Sequence, residues 1–391
     1  MKYQFDDTID RSRTNSFKWK AKNLENSGKV LYPMWVADME FSVSPAIAKR
    51  LSERVEEGVF GYELLSDKYY DAVKYWLKKR HGCSLENDDI LYCAGSMSGL
   101  SAVLQTFTEK NDEILVNVPV YGNFYNVIKG CGRIVSESRL LEVNGRFTFD
   151  LEDMRRQVSK KTKGVLLCNP HNPTGTVWTE DELRKICSFC KKYNLFIISD
   201  EVHYDFVFSG RHIMVREIAG EYNVPAITII SPGKSFNVAG IQTAALLVQG
   251  YKMKQMIKDT MSAMAYPFEH SFAQDVTVGA YLESEDWFDA VYEYIKENRE
   301  LTVNYIKNNL PLLRVPQSDA TYLLWIDCSA MRMTEDDIMG FWRDKCGVLP
   351  SDGREFGEAG RQYVRLNLAC PRENLKRVLD NIKAGFEMLC R

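Results

Sequence analysis

Five-residue runs of mostly aliphatic positions recur through the middle of the chain, at 114–118, 164–168, 195–199, 226–230 and 244–248. They show little alternation of apolar with polar, so each reads as a strand buried on both faces. Helical periodicity fills several of the gaps, at 99–108, 151–160 and 179–193. Strands without a polar face, separated by helices, predict an α/β fold with a mostly parallel sheet covered by helices. Ligands in such sheets lie beyond the carboxyl ends of the strands. Four of the five runs lead directly into unusual polar segments, which places a candidate site along one edge of the sheet.

On either side of this block the pattern changes. Residues 1–44 are polar and aromatic with little periodicity, and read as an extended arm. Ser44-Pro45 starts a helix, with the serine as cap and the proline in the first turn, that ends near Gly58; a second helix spans 66–80. Beyond 250 the chain reads as helical at 251–264, 269–283 and 286–309. It then alternates again, with strands at 322–327 and 363–368 and helices at 334–346 and 372–390. A chain of 391 residues exceeds one ordinary core. The expected organisation is a large domain at 45–284 and a smaller α/β domain formed by 285–391 together with the arm, 1–44.

Composition narrows the function classes. Hydrophobic content of 45% and charged content of 26% are ordinary for a globular chain. The net charge of -3 gives no reason to expect nucleic acid or an anionic membrane as partner. No apolar stretch reaches the length that spans a bilayer. The ten cysteines are scattered singly except Cys187 and Cys190, which share one face of a helix. With only five histidines, two half-buried helix thiols fit better than a zinc site or redox dithiol, and no metal is expected. Free thiols, and an N-terminus (Met-Lys-Tyr-Gln-Phe-Asp-Asp) without an apolar signal core, lead to an expected cytoplasmic location.

Lys234 is the focus of the candidate chemistry. It stands in Ser231-Pro-Gly-Lys234-Ser-Phe-Asn237, directly after the run at 226–230. A lysine is rarely enclosed at the end of a buried strand without a partner or a task. A surface loop lysine is one reading. A phosphate loop is excluded, because the Walker pattern needs glycine five positions before Gly233 and Thr228 stands there. The third reading is a Schiff-base lysine, whose amine holds an aldehyde cofactor.

The other strand ends bear on that choice. Asn169-Pro-His-Asn172-Pro-Thr-Gly175 enforces a tight turn and offers the Asn172 amide to a ring oxygen. Asp200 ends the next run, in Asp200-Glu-Val-His203, where a buried carboxylate requires a cation: a protonated pyridine nitrogen, or an arginine in a structural ion pair. Cys93-Ala-Gly-Ser-Met97-Ser98-Gly99 opens a helix whose free N–H groups suit a phosphate, or is a plain serine cap. Tyr121 follows the run at 114–118 and either stacks on a flat cofactor or fills the core. Arg365 lies mid-strand between Val364 and Leu366, a place where a guanidinium forks onto the carboxylate of a substrate or of a neighbouring side chain.

Together these segments resemble the pyridoxal-phosphate enzymes of the aminotransferase class I/II superfamily, fold type I, over nearly the whole chain. Met34-Trp-Val-Ala-Asp-Met-Glu-Phe41, Phe60-Gly-Tyr62, and a histidine at 203 where aminotransferases usually carry tyrosine, are most similar to the MalY/PatB group of cystathionine β-lyases, or C–S lyases. The resemblance implies pyridoxal 5'-phosphate as cofactor, a small amino acid as substrate, and a homodimer with shared active sites. It implies that Lys234 holds the cofactor aldehyde and acts as general base. Asp200 would pair with the pyridinium nitrogen, Asn172 and His203 would lie near the ring hydroxyl, and Tyr121 would stack on the ring and assist proton transfer to the leaving sulfur. The backbone at Met97 and Ser98, with Ser231, would hold the phosphate, and Tyr62 would reach the phosphate of the other subunit. Arg365, helped by the backbone near Ala37, would grip the substrate α-carboxylate. The implied reaction is β-elimination from cystathionine or a related cysteine thioether, giving pyruvate, ammonia and a thiol. An aminotransferase of small amino acids is the alternative. Two departures stand out: Gln242 and Thr243 occupy a neighbourhood where many fold type I enzymes carry a basic residue, and Glu40 stands where the group often has aspartate.

Overall fold

The main sheet has seven strands: β1 (Ile90–Cys93), β2 (Glu113–Val118), β3 (Ile134–Arg139), β4 (Thr162–Cys168), β5 (Phe196–Asp200), β6 (Ala226–Ile230) and β7 (Ala244–Val248). These come from a computed structural model that describes residues 3–11, 13–20, 31–266 and 269–389. The spatial order is β1-β7-β6-β5-β4-β2-β3. Neighbours are parallel except around β7, which runs antiparallel to both β1 and β6. The sheet is therefore mostly parallel, as the apolar runs predict. The reversal of β7 has a local cause. A parallel return needs a crossover, usually a helix. The link between β6 and β7 is spent on the Lys234 turn and a single 3-10 turn at Ala239–Ile241, so the chain doubles back.

Two strands have no counterpart among the five apolar runs. β1 is only four residues long, and β3 reads Ile-Val-Ser-Glu-Ser-Arg at the exposed edge of the sheet, where polar residues are tolerated. In the centre, successive side chains point to opposite faces. Val165, Leu167 and Ile197 pack with Leu183 and Ile186 on one side, while Leu166, Ile198, Ile227 and Ile229 pack with Leu100, Val103 and Leu104 on the other.

The covering and flanking helices include α1 (Pro45–Glu56), α2 (Asp67–His81), α3 (Ser96–Phe107), α4 (Asn123–Gly130), α5 (Glu180–Tyr193), α6 (Ala273–Glu283), α7 (Glu285–Asn309) and α8 (Arg372–Leu389). Ser44 caps α1, its Oγ accepting from the Ala46 N–H at 3.3 Å, with Pro45 in the first turn. Thr179 and Glu182 form a reciprocal capping box at the start of α5. Cys187 and Cys190 on that helix are fully buried rather than half-buried, and their thiols are unpaired.

A second, three-stranded antiparallel sheet consists of β8 (Leu323–Asp327), β9 (Ser351–Asp352) and β10 (Tyr363–Asn367), in the order β8-β10-β9. Its Leu324, Ile326, Val364 and Leu366 share a core with Leu375, Val378, Leu379 and Ile382 of α8. Met34 joins that core, whereas Met39 and Phe41 join the core beneath α2. The long α7 serves both: Trp287, Val291 and Ile295 enter the core beneath α2, and Ile306 the one beneath α8.

Several expected helices differ at their ends; the one at 151–160 stops at Gln157, and the one at 99–108 begins at Ser96. The one at 334–346 is α-helical only over Glu335–Gly340 and widens into a π turn at Phe341–Lys345, both of whose aromatics, Phe341 and Trp342, are buried. The one at 269–283 begins at Ala273. The last is seen to Leu389, and its expected end at Cys390 lies outside the described residues. Among the described residues no helix is long and apolar enough to cross a membrane.

Candidate active site

A cavity of about 910 Å³ opens at the carboxyl ends of the central strands and is closed on its far side by residues of β9 and β10. Cys168↔Asp200 and Asp200↔Ile229 are register partners, so β4, β5 and β6 deliver their following turns to one place. The cavity is lined by Ala37, Met97, Ser98, Tyr121, Asn172, Asp200, His203, Ser231, Lys234 and Arg365. Tyr62 does not line it; that side chain is 88% exposed on the outside of the chain.

Lys234 points its Nζ at the Ala37 carbonyl oxygen, which accepts at 2.7 Å and also accepts from the Tyr322 hydroxyl at 3.2 Å. The Ala37 carbonyl is thus spent on cations and donors, and only its N–H is left for a carboxylate. Burial, with Arg365 nearby, lowers the lysine from 10.5 to about 8 against the opposing pull of Asp38 and Asp200. This is not a surface loop lysine.

Two asparagines explain why the lysine turn and the arginine strand occur with the Trp35–Phe41 stretch. Asn237, three residues past Lys234, accepts from the Met39 N–H (3.0 Å) and donates to the carbonyls of Met39 (3.1 Å) and Phe41 (2.8 Å). Asn367, two residues past Arg365, donates to the carbonyls of Val36 (2.6 Å) and Asp38 (2.5 Å). The arm is a strap, and the Lys234 turn and the Arg365 strand both hold it.

Asp200 is 3% exposed and forms no ion pair with any described residue; only the Val202 N–H donates to it, at 3.3 Å. Among the described residues the arginine partner considered above is therefore absent. Burial raises the carboxyl from 3.8 to about 7, opposed by the Val202 hydrogen bond and Lys234. A cationic group in the cavity would restore its charge.

At the start of α3, Gly95 takes the cap position at φ 98° and no side chain caps the helix, so the serine-cap reading fails. No described group accepts from the N–H groups of Ser96, Met97 and Ser98, which suits an anion. Ser231 is more constrained than expected: its hydroxyl donates to the Thr243 carbonyl (2.7 Å) and accepts from the Gly233 N–H (3.0 Å), so its proton is already committed. Gln242 and Thr243 also line the cavity.

Arg365 is buried and forms no ion pair with a described carboxylate, although the Glu355 charge acts on it. Nη1 donates to Asn172 Oδ1 (2.8 Å), and Nη2 to the Trp35 carbonyl (2.8 Å) and Ser351 Oγ (3.1 Å). Its Nε has no partner, and the guanidinium lies 4.7 Å over the Phe356 ring. Burial lowers it to about 10. Among the described residues no neighbouring carboxylate is hydrogen-bonded to it. Asn172 keeps its Nδ2 for a ligand, its Oδ1 being used by Arg365. His203 is buried with Nδ1 unpartnered, and burial, Lys234 and Arg365 all press it toward the neutral form. The Tyr121 hydroxyl accepts from Asn123 Nδ2 at 2.8 Å, and burial keeps it protonated.

The cavity thus presents a carboxylate lacking a cation, a guanidinium lacking an anion, a nucleophilic amine and a bare helix start. Residues 38–382 match the family described as aminotransferase class I and II. The chain belongs to that family. Cystathionine beta-lyase PatB of Bacillus subtilis (strain 168) is 32% identical over 98% of this chain and 99% of its own. Cystalysin from Treponema denticola, whose crystal structure contains pyridoxal 5'-phosphate, superposes with a TM-score of 0.94 at 30% identity and covers 100% of both chains. A PLP-bound protein of Clostridium difficile 630, provisionally named an aminotransferase, gives 0.93 at 35% identity over 98% of this chain and 99% of that one. The architecture is that of the family's fold type I. Within it, the roles of Asn237, Asn367 and Tyr322 were not read from the sequence, although Asn237 closes the segment around Lys234. Among the described residues, no three His, Cys, Asp or Glu side chains gather where they could hold a metal ion.

Proposed function

We propose that this protein is a pyridoxal-phosphate-dependent carbon–sulfur β-lyase that cleaves cystathionine or a related cysteine thioether to pyruvate, ammonia and a thiol. The observation that carries this reading is the pair of uncompensated buried charges, Asp200 and Arg365, both close enough to act on the amine of Lys234. They complement a protonated pyridine ring and an amino-acid carboxylate. The activities named for PatB and cystalysin support the same choice.

The residues fit the cofactor. Lys234 would hold its aldehyde, Asp200 its ring nitrogen, Asn172 Nδ2 and His203 its ring hydroxyl, and the N–H groups at Met97 and Ser98 its phosphate. Tyr121 would cover one face of the ring. Ser231 would steady the lysine turn through Thr243 and Gly233 rather than donate to the phosphate. When bound, the cofactor supplies a sink for the electrons released at the substrate Cα. Arg365, with its Nε–H and one Nη1–H uncommitted, would hold the carboxylate and so set which Cα bond faces Lys234. The Lys234 amine, made less basic by burial, takes the Cα proton as general base. The Tyr121 hydroxyl, still protonated, can pass its proton to the departing sulfur.

The active unit in this reading is a cytoplasmic homodimer in which Tyr62 serves the neighbouring subunit's phosphate. The exposure of Val59, Phe60, Tyr62 and Leu64 together supports an interface there. The core shared by β8, β10 and α8 supports a small domain within 285–391 and the sheet core a large one at 45–284, while the core beneath α2 draws Met39, Phe41 and the first half of α7 across that boundary. The test is to supply pyridoxal phosphate and L-cystathionine and follow pyruvate, ammonia and thiol together. All three should rise in step and vanish in Lys234→Ala. A keto acid formed only when 2-oxoglutarate is added would replace this reading with amino transfer.

A further inference from the structure

We infer that Phe17 and Trp35 form the subsite for the group carried on the substrate sulfur, and that this subsite takes an apolar, preferentially aromatic S-substituent. The inference rests on the thioether reading above and names its substrate class.

Phe17 opens the four-residue helix Phe17–Lys20, lines the cavity, and is 70% exposed. Its ring lies 5.1 Å from that of Trp35 at 52°. An exposed phenylalanine gains little by being ordered. Yet its helix is fastened by an unusual set of contacts. Lys18 is 2% exposed, and its Nζ lies 2.6 Å from Glu40 Oε1 and 3.3 Å from Asp38 Oδ1. Arg11 reaches the same two carboxylates, at 3.2 Å from Asp38 and 3.5 Å from Glu40. Trp19 Nε1 donates to Glu40 Oε2 at 3.3 Å, and Trp35 Nε1 to the Lys18 carbonyl at 3.1 Å. Enclosing a lysine is costly, so a segment built around one is constrained for a reason other than its own burial. Glu40 is the hub, meeting Lys18, Arg11 and Trp19. Its extra methylene over the aspartate common in the group gives the departure at this position a structural role.

The wall so fastened adjoins the carboxylate site. The Trp35 carbonyl accepts from Arg365 Nη2 (2.8 Å) and Ser351 Oγ (2.9 Å). A substrate held by Arg365 therefore lies beside the Phe17–Trp35 pair, which can close on a flat group edge-on or face-on. The opposite rim carries charged side chains, but Arg354 is spent on Asp352 (2.6 Å) and Asp336 (2.8 Å).

The test uses the full chain loaded with pyridoxal phosphate and three ligands that lack the reacting amine: 3-(benzylthio)propanoate, 3-(methylthio)propanoate and 3,3'-thiodipropanoate. Calorimetry should give the benzyl compound the lowest Kd. Phe17→Ala should reduce the benzyl-over-methyl preference by about fivefold to tenfold, the scale of one lost aromatic pair. Phe17→Tyr should keep it, and Glu40→Gln should lose most of it by releasing the helix. An unchanged preference in Phe17→Ala, or tightest binding of the dicarboxylate, overturns the inference. Release of thiol from S-benzyl-L-cysteine is scored separately: a benzyl preference without thiol release removes the lyase reading and leaves the subsite, whereas thiol release with no benzyl preference does the reverse.

Discussion

Replacing Asp200 with asparagine should make the cofactor-free protein more stable above neutral pH, although it removes a residue assigned to the active site. Asp200 is 3% exposed and receives a single hydrogen bond, from Val202. Its carboxyl is raised from 3.8 to about 7, chiefly by burial. The folded protein then keeps a proton that the unfolded chain gives up, so the contribution of this group to stability falls as pH rises from about 4 to about 7, and is level above that. At 1.36 kcal/mol per pH unit the full penalty is about 4 kcal/mol. Asparagine cannot ionise and can still accept from Val202, so the gain should be ~2–4 kcal/mol at pH 8 and close to nothing near pH 4. Urea unfolding midpoints of the cofactor-free protein at pH 4.5, 6 and 8 measure this directly. Added pyridoxal phosphate should reverse the order, because the wild-type carboxylate then faces a cation. A variant that is less stable at pH 8, or a difference that does not grow with pH, would refute the claim that this carboxylate lacks a partner.

Three further outcomes are expected. The rate at which cofactor-free protein captures pyridoxal phosphate, followed by visible absorbance, should rise with pH and level off above about 8, since only the neutral Lys234 amine reacts; a rise continuing past pH 10 would mean that the amine is not desolvated. Arg365→Lys keeps the charge but loses the fork shared with Asn172, Trp35 and Ser351, so KM for the amino acid should rise about 10- to 100-fold with a smaller effect on kcat. Asn237→Ala removes three hydrogen bonds to the strap and should cost ~2–3 kcal/mol in urea unfolding; no loss would show that Asn367 alone holds it.

The central strands were legible because burial on both faces leaves mostly aliphatic residues, as at Val165, Leu166 and Leu167. β3 was not, because an edge strand with Ser136, Glu137 and Ser138 carries no such mark. The direction of β7 depends on a missing crossover helix, which no run of residues announces. At the site, Lys234, Asp200 and Asn172 were readable because each ends an apolar run in a polar break. Arg365 was readable as a lone charge in a strand, but whether its carboxylate was internal needed the surrounding side chains. Asn237 and Asn367 act on a segment far away in sequence, so spacing could not reveal their role. The committed proton of Ser231 is likewise a matter of which carbonyl lies nearby, here that of Thr243.

The strap at 36–41 also sets an order of events at the ribosome. Its partners are made late: Asn237 follows Met39 by 198 positions, and Asn367 follows Val36 by 331. Chains emerge from the N-terminus and fold as they lengthen. The strap therefore waits, with Trp35, Met39 and Phe41 uncovered, until nearly the whole polypeptide has been made. A nascent or prematurely terminated product can build β4, β5 and β6 and even present Lys234, but it has no Arg365 and no second clamp. Grip on a substrate carboxylate is thus a property of finished chains, even though every residue assigned to the cofactor has already been made.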